Sequence, residues 1–437
     1  MISPTPKAVW LMAAGFPLML LLSILAPGLW GLAAAWIMMT LGLLLVDAIL
    51  AAKLTALSTH VAPPSMLYIG SDDPAELHVT FEKGPLPDRT EVKLDTGPLL
   101  SPVPVLGLRG WDNRTHKVSI PLHPVRRGEA QIDAIWTRWT GPLGLIRKQA
   151  KQTLDLTVPI LPNSRWVKQE AVRLYTRDAD FGIKQQLDRG DGSEFDALRE
   201  FSAGMDRRAI DWKQSARHRH LLAKEFRTER NHNIVFAFDT GRLMSEPLDG
   251  VPKLDRAINA ALLLAFVSLR AGDRTALYGF DAQPVLSSNL LHGTAAFTQA
   301  QALASTLDYS ANDANYTLAL SDLSGKLKRR SLIILFTDFV DTVSSELMLE
   351  TLTRLTKRHL VLFATFKDAA LEGLRDTPPE TPEDISRAVV ADTLLDEREL
   401  VFRKLHRLGV QVIETTPDRF GSQLVSQYLD IKRRDLL

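Results

Sequence analysis

Two aspartates stand where a parallel sheet would do its chemistry. Asp239 closes the apolar run "NIVFAFD", and Asp338, preceded by Thr337, follows the run "SLIILF". Short, almost wholly apolar runs of this kind read as strands covered on both faces. Ligands of such sheets sit at the carboxyl ends of the strands. Asp239, Asp338 and the hydroxyl of Thr317, at the start of a helical stretch, could therefore surround a hard cation such as magnesium, which takes carboxylate, hydroxyl and water oxygens. Asp341 is close by in sequence. Acids after strands also serve as helix N-caps and turn residues, and on residue types alone the two readings are even. A metal bound there would open a second possibility, a metal-dependent hydrolase using Asp239 and Asp338.

Other catalytic signatures are missing from the chain. It has no cysteine, which removes thiolate nucleophiles, disulfides and Cys-ligated zinc. There is no His-Glu-x-x-His and no Gly-x-Ser-x-Gly elbow. "LSDLSGK" ends like a P-loop but lacks its first glycine, so Lys326 has no phosphate cradle. His218 and His220 are two apart, the wrong spacing for two ligands on one helical face. With 52 basic and 51 acidic residues, the chain lacks the basic excess of a dedicated nucleic-acid binder.

The elements that must position these residues fall into four segments. Residues 1–53 hold two apolar stretches, about 8–26 and 29–50, with Pro27-Gly28 between them and Asp47 as the only ionisable side chain from Ala8 to Leu50. Each stretch is long enough to span a bilayer, and Pro-Gly is a turn, so a transmembrane helical hairpin is expected. Lys7 and Lys53 flank it, and by the positive-inside rule both ends face the cytoplasm. Residues 54–162 alternate apolar and polar in short runs such as "AELHVTF" and "LDLTVPI", the pattern of a small β-sandwich. Residues 231–437 alternate strand-like and helix-like runs, as a parallel sheet wrapped on both faces requires.

Between these lies a charged segment, 163–230. "DRRAIDWKQSAR" reads as a helix with Asp206 as N-cap, and "LLAKEFRTER" as a strand leading into "NIVFAFD". Arg199, Arg207, Arg208 and Arg217 face candidate partners in Glu194, Asp196, Glu200, Asp206 and Asp211, and bidentate guanidinium–carboxylate pairs fix geometry more than they add stability. The segment is expected to be an ion-pair lattice holding an irregular connection onto the sheet, or a lattice left partly exposed as a docking face.

The stretch "GSEFDALREFSAGMDRRAIDWKQSARHRHLLAKEF" resembles the signature of the family called domain of unknown function 58, matching at Gly192, Glu194, Phe195, Leu198, Arg199, Glu200, Gly204, Arg208, Ile210, Asp211, Trp212, Ser215, Ala216 and Arg217. Phe201 stands where the family commonly has Tyr. The resemblance takes in the hairpin, "PVRRGEAQI" and "GPLGL", and thus essentially the whole chain. It implies a Rossmann-like, doubly wound von Willebrand A-like domain beside the β-sandwich. It also implies a MoxR-type AAA+ ATPase as partner, other membrane or envelope proteins as further partners, and a role in assembly, maturation or metal insertion of a client complex. Von Willebrand A domains that bind magnesium carry Asp-x-Ser-x-Ser after the first strand. Here that motif is "DTGRL": Gly241 and Leu243 replace both serines, and Arg242 adds a competing charge. The expected metal site, Asp239, Thr317 and Asp338, is therefore degenerate. The expectation as a whole is a non-enzymatic adaptor without a resident cofactor, anchored in the inner membrane with its bulk in the cytoplasm. Arg199, Asp206, Arg208, Asp211, Trp212, Arg217 and Arg242 are its candidate docking or lattice residues. A structural scaffold of the cell envelope is the other non-enzymatic reading.

Overall fold

A computed structural model describes residues 1–25, 30–180, 189–202, 207, 210–218, 220–227, 231–339, 342–434 and 436 of the chain, which divides into two units, Met1–Leu161 and Pro162–Leu437. The first unit opens with a short strand, β1 (Ile2–Pro4), followed by helices α1 (Pro6–Leu25) and α2 (Trp30–Leu50), which pack together. Pro6 suits the first position of a helix, where its missing N–H is not needed. The stretch Ala34–Ala56 is long and apolar enough to cross a membrane. The Pro27-Gly28 turn lies outside the described residues.

Asp47, the lone ionisable residue of the apolar region, is fully buried and has a clear structural task. Its Oδ1 accepts from the Leu143 amide at 2.8 Å, and its Oδ2 from Leu145 and Ile146 at 2.8 and 2.7 Å. A carboxylate that receives several N–H groups satisfies donors that burial would otherwise leave costly. Gly141 makes the approach possible, since an added Cβ there would collide with the carboxylate. Lys148 adds a second tie, its ammonium donating to the carbonyls of Ala51 at 3.0 Å and Ala52 at 3.3 Å.

The rest of this unit is β: β2 (Leu57–Ala62), β3 (Leu67–Tyr68), β4 (Asp73–Phe81), β5 (Thr90–Thr96), β6 (Leu106–Leu108), β7 (Thr115–Leu122), β8 (Gly128–Thr140) and β9 (Ile146–Leu161). They form one sheet ordered β2-β4-β7 and a second ordered β1-β9-β8-β5-β6, with β3 beside β9. The period of two decides which face is buried: Ala75, Leu77, Val79 and Phe81 of β4 point inward with no exposed surface. Phe81 meets Trp139 of β8 edge-on at 5.5 Å, joining the two sheets through their inner faces. Pairing of β1 with β9 (Ile2 opposite Lys148) was not foreseeable from the polar, Pro-rich N-terminus.

The second unit begins with α3 (Ser164–Asp180), β10 (Arg189–Glu200), α4 (Trp212–His218) and β11 (Leu222–Arg227). This corrects the expected irregular connection: β10 and β11 pair as an antiparallel ribbon, and α3 buries Val167 and Ala171 in the core of the unit. The helix expected over 206–217 is shorter, starting at Trp212. Its cap is Asp211, whose Oδ1 accepts from the Gln214 amide at 3.1 Å. Asp206 and Arg208 lie outside the described residues.

Then follow β12 (Asn233–Asp239), the two-residue strands β13 (Pro247–Leu248) and β14 (Val251–Pro252), α5 (Lys253–Arg270), β15 (Arg274–Phe280), β16 (Pro284–Ser287) and β17 (Leu291–His292). The remainder is α6 (Phe297–Ser305), α7 (Tyr316–Lys326), β18 (Ser331–Phe336), α8 (Thr342–Leu355), β19 (Leu360–Phe366), α9 (Ala369–Asp376), α10 (Pro382–Arg407), β20 (Gln411–Thr415) and α11 (Pro417–Arg433). Strands run in the order β16-β15-β12-β18-β19-β20. All neighbours from β15 to β20 are parallel, and β16 and β17 run antiparallel to β15. Every residue of β12 and β18 is buried, as strands sandwiched between two helical layers require. Ile234, Phe236 and Phe238 face one core with α5, α6 and α11; Val235 and Ala237 face the other with α7 and α8. The chain leaves β12 for β15 on one side and returns to β18 on the other. The carboxyl ends of β12 and β18 therefore flank the point where the connections part, the place where open α/β sheets keep their ligand crevices.

Candidate functional site

Asp239 and Asp338 meet at that crevice, and their environments drive them apart. Asp239 is 2 % exposed and accepts from the Gly241 amide at 2.8 Å, the Thr337 hydroxyl at 2.6 Å and the Tyr316 phenol at 3.1 Å. All its partners are neutral, so burial dominates and pushes the carboxyl up to about 6, against the lowering pull of the hydrogen bonds from Thr337, Gly241 and Tyr316. Tyr316 is pushed well above the ordinary phenol range, first by burial and then by the adjacent Asp239 charge.

Asp338 is buried as well but sits between two cations. Its Oδ1 accepts from Arg398 Nη1 at 2.7 Å, Thr365 Oγ1 at 3.2 Å and its neighbouring Phe339 amide at 3.0 Å; Oδ2 accepts from Lys253 Nζ at 2.9 Å. Burial alone would raise this carboxyl, but Arg398 and Lys253 outweigh it and hold it below the ordinary range. The same charge raises Arg398 and Lys253 in turn, against burial.

Neither cation was read from the sequence as part of the site. Arg398 lies on α10, facing inward with Ala391, Val401 and Leu405. It also donates from Nε to Glu414 at 2.7 Å and from Nη2 to Thr365 and the Phe366 carbonyl at 3.0 and 2.8 Å, with its guanidinium over the rings of Phe339 and Phe402. An arginine seven residues after Ala391 and three before Val401 shares their helical face, and that spacing was the available signal. Lys253 opens α5, an end where the helix dipole disfavours a cation; a lysine there implies a counter-charge, which Asp338 and Glu246 supply. Tyr316 was also missed: the hydroxyl that α7 delivers to Asp239 is the phenol of Tyr316, one residue before Thr317.

Thr317 lines the same cavity, about 630 Å³, together with Asp239, Asp338, Leu243, Phe339 and Leu347. Three of the residues read from the sequence as a metal site thus do converge on one crevice. Their chemistry fits a divalent ion poorly, because both oxygens of Asp338 already hold cationic groups and those of Asp239 accept three neutral donors. Among the described residues, no group of three or more His, Asp or Glu is placed to hold a metal; Asp341 lies outside them. The first loop is shaped against a serine as well. A Cβ at Gly241 would stand 2.9 Å from both the Asn312 carbonyl and Asp239 Oδ1, closer than side chains normally pack. Arg242 does not compete for Asp239 as expected. It points outward at the rim, its Nε 3.4 Å from Asp313 Oδ1, with both side chains exposed. In the signature segment, Trp212 is 69 % exposed and Arg199 and Arg217 are exposed.

Comparison with known proteins agrees with this segment. A family model described as "Protein of unknown function DUF58" matches residues 197–384, less of the chain than the whole-length likeness expected. An uncharacterized protein, YeaD, of Bacillus subtilis (strain 168) is 28 % identical over 153 residues, 35 % of this chain and 38 % of that protein. The matched region thus spans well under half of the relative's length. Among solved structures, the conserved hypothetical protein BatB of Bacteroides thetaiotaomicron and an aerotolerance-related membrane protein of Bacteroides fragilis each cover 46 % of this chain and 100 % of their own. Both have a TM-score of 0.29 and 12 % identity. Over residues 197–384, the chain is similar to the DUF58 family of proteins of unknown function.

Proposed function

We propose that this chain is a membrane-anchored, non-enzymatic adaptor. Its second unit, read as von Willebrand A-like, offers the face at the carboxyl ends of its strands to a protein partner. The observation that carries the reading is the state of the two central acids. A metal-dependent hydrolase needs oxygens open to a metal and a base free to act, whereas here Asp338 is neutralised by Lys253 and Arg398, and Asp239 is engaged by Gly241, Thr337 and Tyr316. The cation position is filled from within the chain, and the crevice is left as a shaped recess. Its rim carries what interfaces use: an arginine (Arg242), an acid (Asp313) and an apolar side chain, Leu347, 64 % exposed. Exposed Trp212 on α4 is a second candidate anchor, since tryptophan and arginine dominate binding energy at interfaces.

The partner implied by the family resemblance is a MoxR-type AAA+ ATPase, with α2 holding the chain in the inner membrane and its bulk in the cytoplasm. Co-purification of the full chain from detergent-solubilised membranes tests this. An AAA+ protein should accompany the unaltered chain and be lost with Arg242→Glu and Leu347→Asp at unchanged expression. Retention in both variants would contradict docking at this face, and steady magnesium- or manganese-dependent hydrolysis of a phosphoester by the purified chain would contradict the non-enzymatic reading.

A further inference from the structure

The opposite edge of the same sheet, where the parallel strands begin, carries a concentration of positive charge that the adaptor reading does not use. Lys328, Arg329 and Arg330 immediately precede β18, Lys357 and Arg358 lie just before β19, and all five are exposed. Arg274 opens β15, and α11 ends nearby in Arg433 and Arg434; Lys432 of the same helix reaches Asp273, next to the start of β15. Adjacent strands stand about 4.8 Å apart, so these groups share one continuous edge.

Basic residues at helix ends often only complement the helix dipole, and Lys326, Arg354 and Arg433 fit that explanation, each paired with an acid on its own helix. Lys328, Arg329, Lys357 and Arg358 do not. They lie beyond the last turns of α7 and α8, and their side chains form no ion pair among the described residues. Beneath them His359 is buried with neither ring nitrogen hydrogen-bonded. Burial and then the charges of Arg358 and Arg330 depress its pKa, as a locally positive field would. The edge also borders a cavity of about 560 Å³ lined by Arg274, Lys328, Arg329 and Asn233.

We propose that this edge binds the anionic headgroups of a lipid bilayer, so that the second unit rests on the membrane surface through its strand N-termini while the opposite crevice stays open. Charge complementarity favours an anionic surface, since each Lys or Arg held near acidic lipid contributes about 1 kcal/mol. The chain brings that surface with it, because Ala34–Ala56 is apolar and long enough to span a bilayer. Nucleic acid suits the edge less well: single strands are held by aromatic stacking platforms, and among the described residues no large aromatic side chain is exposed on this edge. The proposal rests on the membrane anchor of the preceding section, not on its protein partner.

The chain's lack of cysteine allows a clean test with the full-length protein in lipid nanodiscs. Gly325→Cys places a dye at this edge, on an exposed helical position where a Cβ meets nothing within 4 Å. Ala311→Cys places one on the exposed loop at the opposite edge. Energy transfer to an acceptor on lipid headgroups is read in discs of phosphatidylcholine alone and in discs containing phosphatidylglycerol. Transfer from position 325, but not from 311, should rise with anionic lipid. High salt should reverse the gain in the otherwise unaltered chain, and Lys328→Glu, Arg329→Glu, Lys357→Glu and Arg358→Glu together should abolish it. Transfer from 325 that ignores lipid charge, or rises equally from 311, overturns the proposal. So does indifference to lipid together with a response to added single-stranded RNA, which would assign the edge to nucleic acid. Because no ATPase is present, these outcomes are independent of the adaptor reading.

Discussion

Replacing Arg398 by methionine should reveal how the centre of the sheet is held together. The methionine keeps an apolar stem against Phe339 and Phe402 but withdraws the guanidinium from Asp338, Glu414, Thr365 and the Phe366 carbonyl. Asp338 is then left buried with Lys253 as its one cation. Breaking a buried ion pair from one side costs roughly 3–5 kcal/mol, which for a unit of this size lowers its melting temperature on the order of 10 °C. Asp338→Asn alone strands the guanidinium in the same way, although Glu414 still faces it. The double variant Asp338→Asn/Arg398→Met removes both charges, so its loss should be smaller than the sum of the single losses. A coupling of about 2–3 kcal/mol is expected for groups in one network. Thermal unfolding of the full chain in detergent gives the cycle, and hydrogen exchange in peptides covering β18 and β19 localises it. The pH dependence has a defined sign. Asp338 is depressed in the folded state, so its contribution is present above the ordinary carboxylate pKa and is lost as pH falls through the lower folded value. The difference between wild type and Arg398→Met should therefore shrink below about pH 4, where carboxylates protonate. A coupling under ~0.5 kcal/mol, or a single variant as stable as the parent, would refute the view that these two charges depend on each other.

Three other outcomes follow from the same geometry. Asp239 is raised to about 6 in the folded chain, so its protonated form favours folding, and that contribution is lost as pH rises through 6; Asp239→Asn should stabilise the chain at pH 8 relative to pH 5, by about 1.4 kcal/mol, as read from melting temperatures at the two values. Asp47→Ala removes the acceptor of three amides, and at roughly 1–3 kcal/mol for each stranded donor should accelerate hydrogen exchange at Leu143, Leu145 and Ile146; unchanged exchange would mean Asp47 is not a tie. Gly241→Ser must push against the Asn312 carbonyl and Asp239, so it should destabilise by about 1–3 kcal/mol without conferring magnesium binding in calorimetry.

How much of this was legible in the sequence depended on whether a residue's role was local. Strands β12 and β18 were plain because burial on both faces leaves unbroken apolar runs, and those runs placed Asp239 and Asp338 at the sheet's edge. The partners were not legible, because they come from far along the chain: Lys253 is 85 residues from Asp338 and Arg398 is 60. Tyr316 was passed over for Thr317 because a hydroxyl-bearing β-branched residue resembles a metal ligand, whereas a phenol looks like core. Helix α3 was hidden among charges, its buried stripe reduced to Trp166, Val167 and Ala171. Its start was signalled by Asn163, whose side-chain oxygen accepts from the Trp166 amide at 3.0 Å. Asp211 reads as a lattice residue because an acid in an arginine-rich stretch invites pairing with charges, and the Gln214 amide that its side chain accepts from is invisible in a string of letters.

The most direct test of the central claim, that the chain's own cations occupy the place a metal would take between the strand ends, is a titration of the full-length protein with magnesium and with manganese, followed by its melting temperature. The account predicts no saturable rise up to millimolar concentrations. A saturable rise that disappears in Asp239→Ala would contradict it.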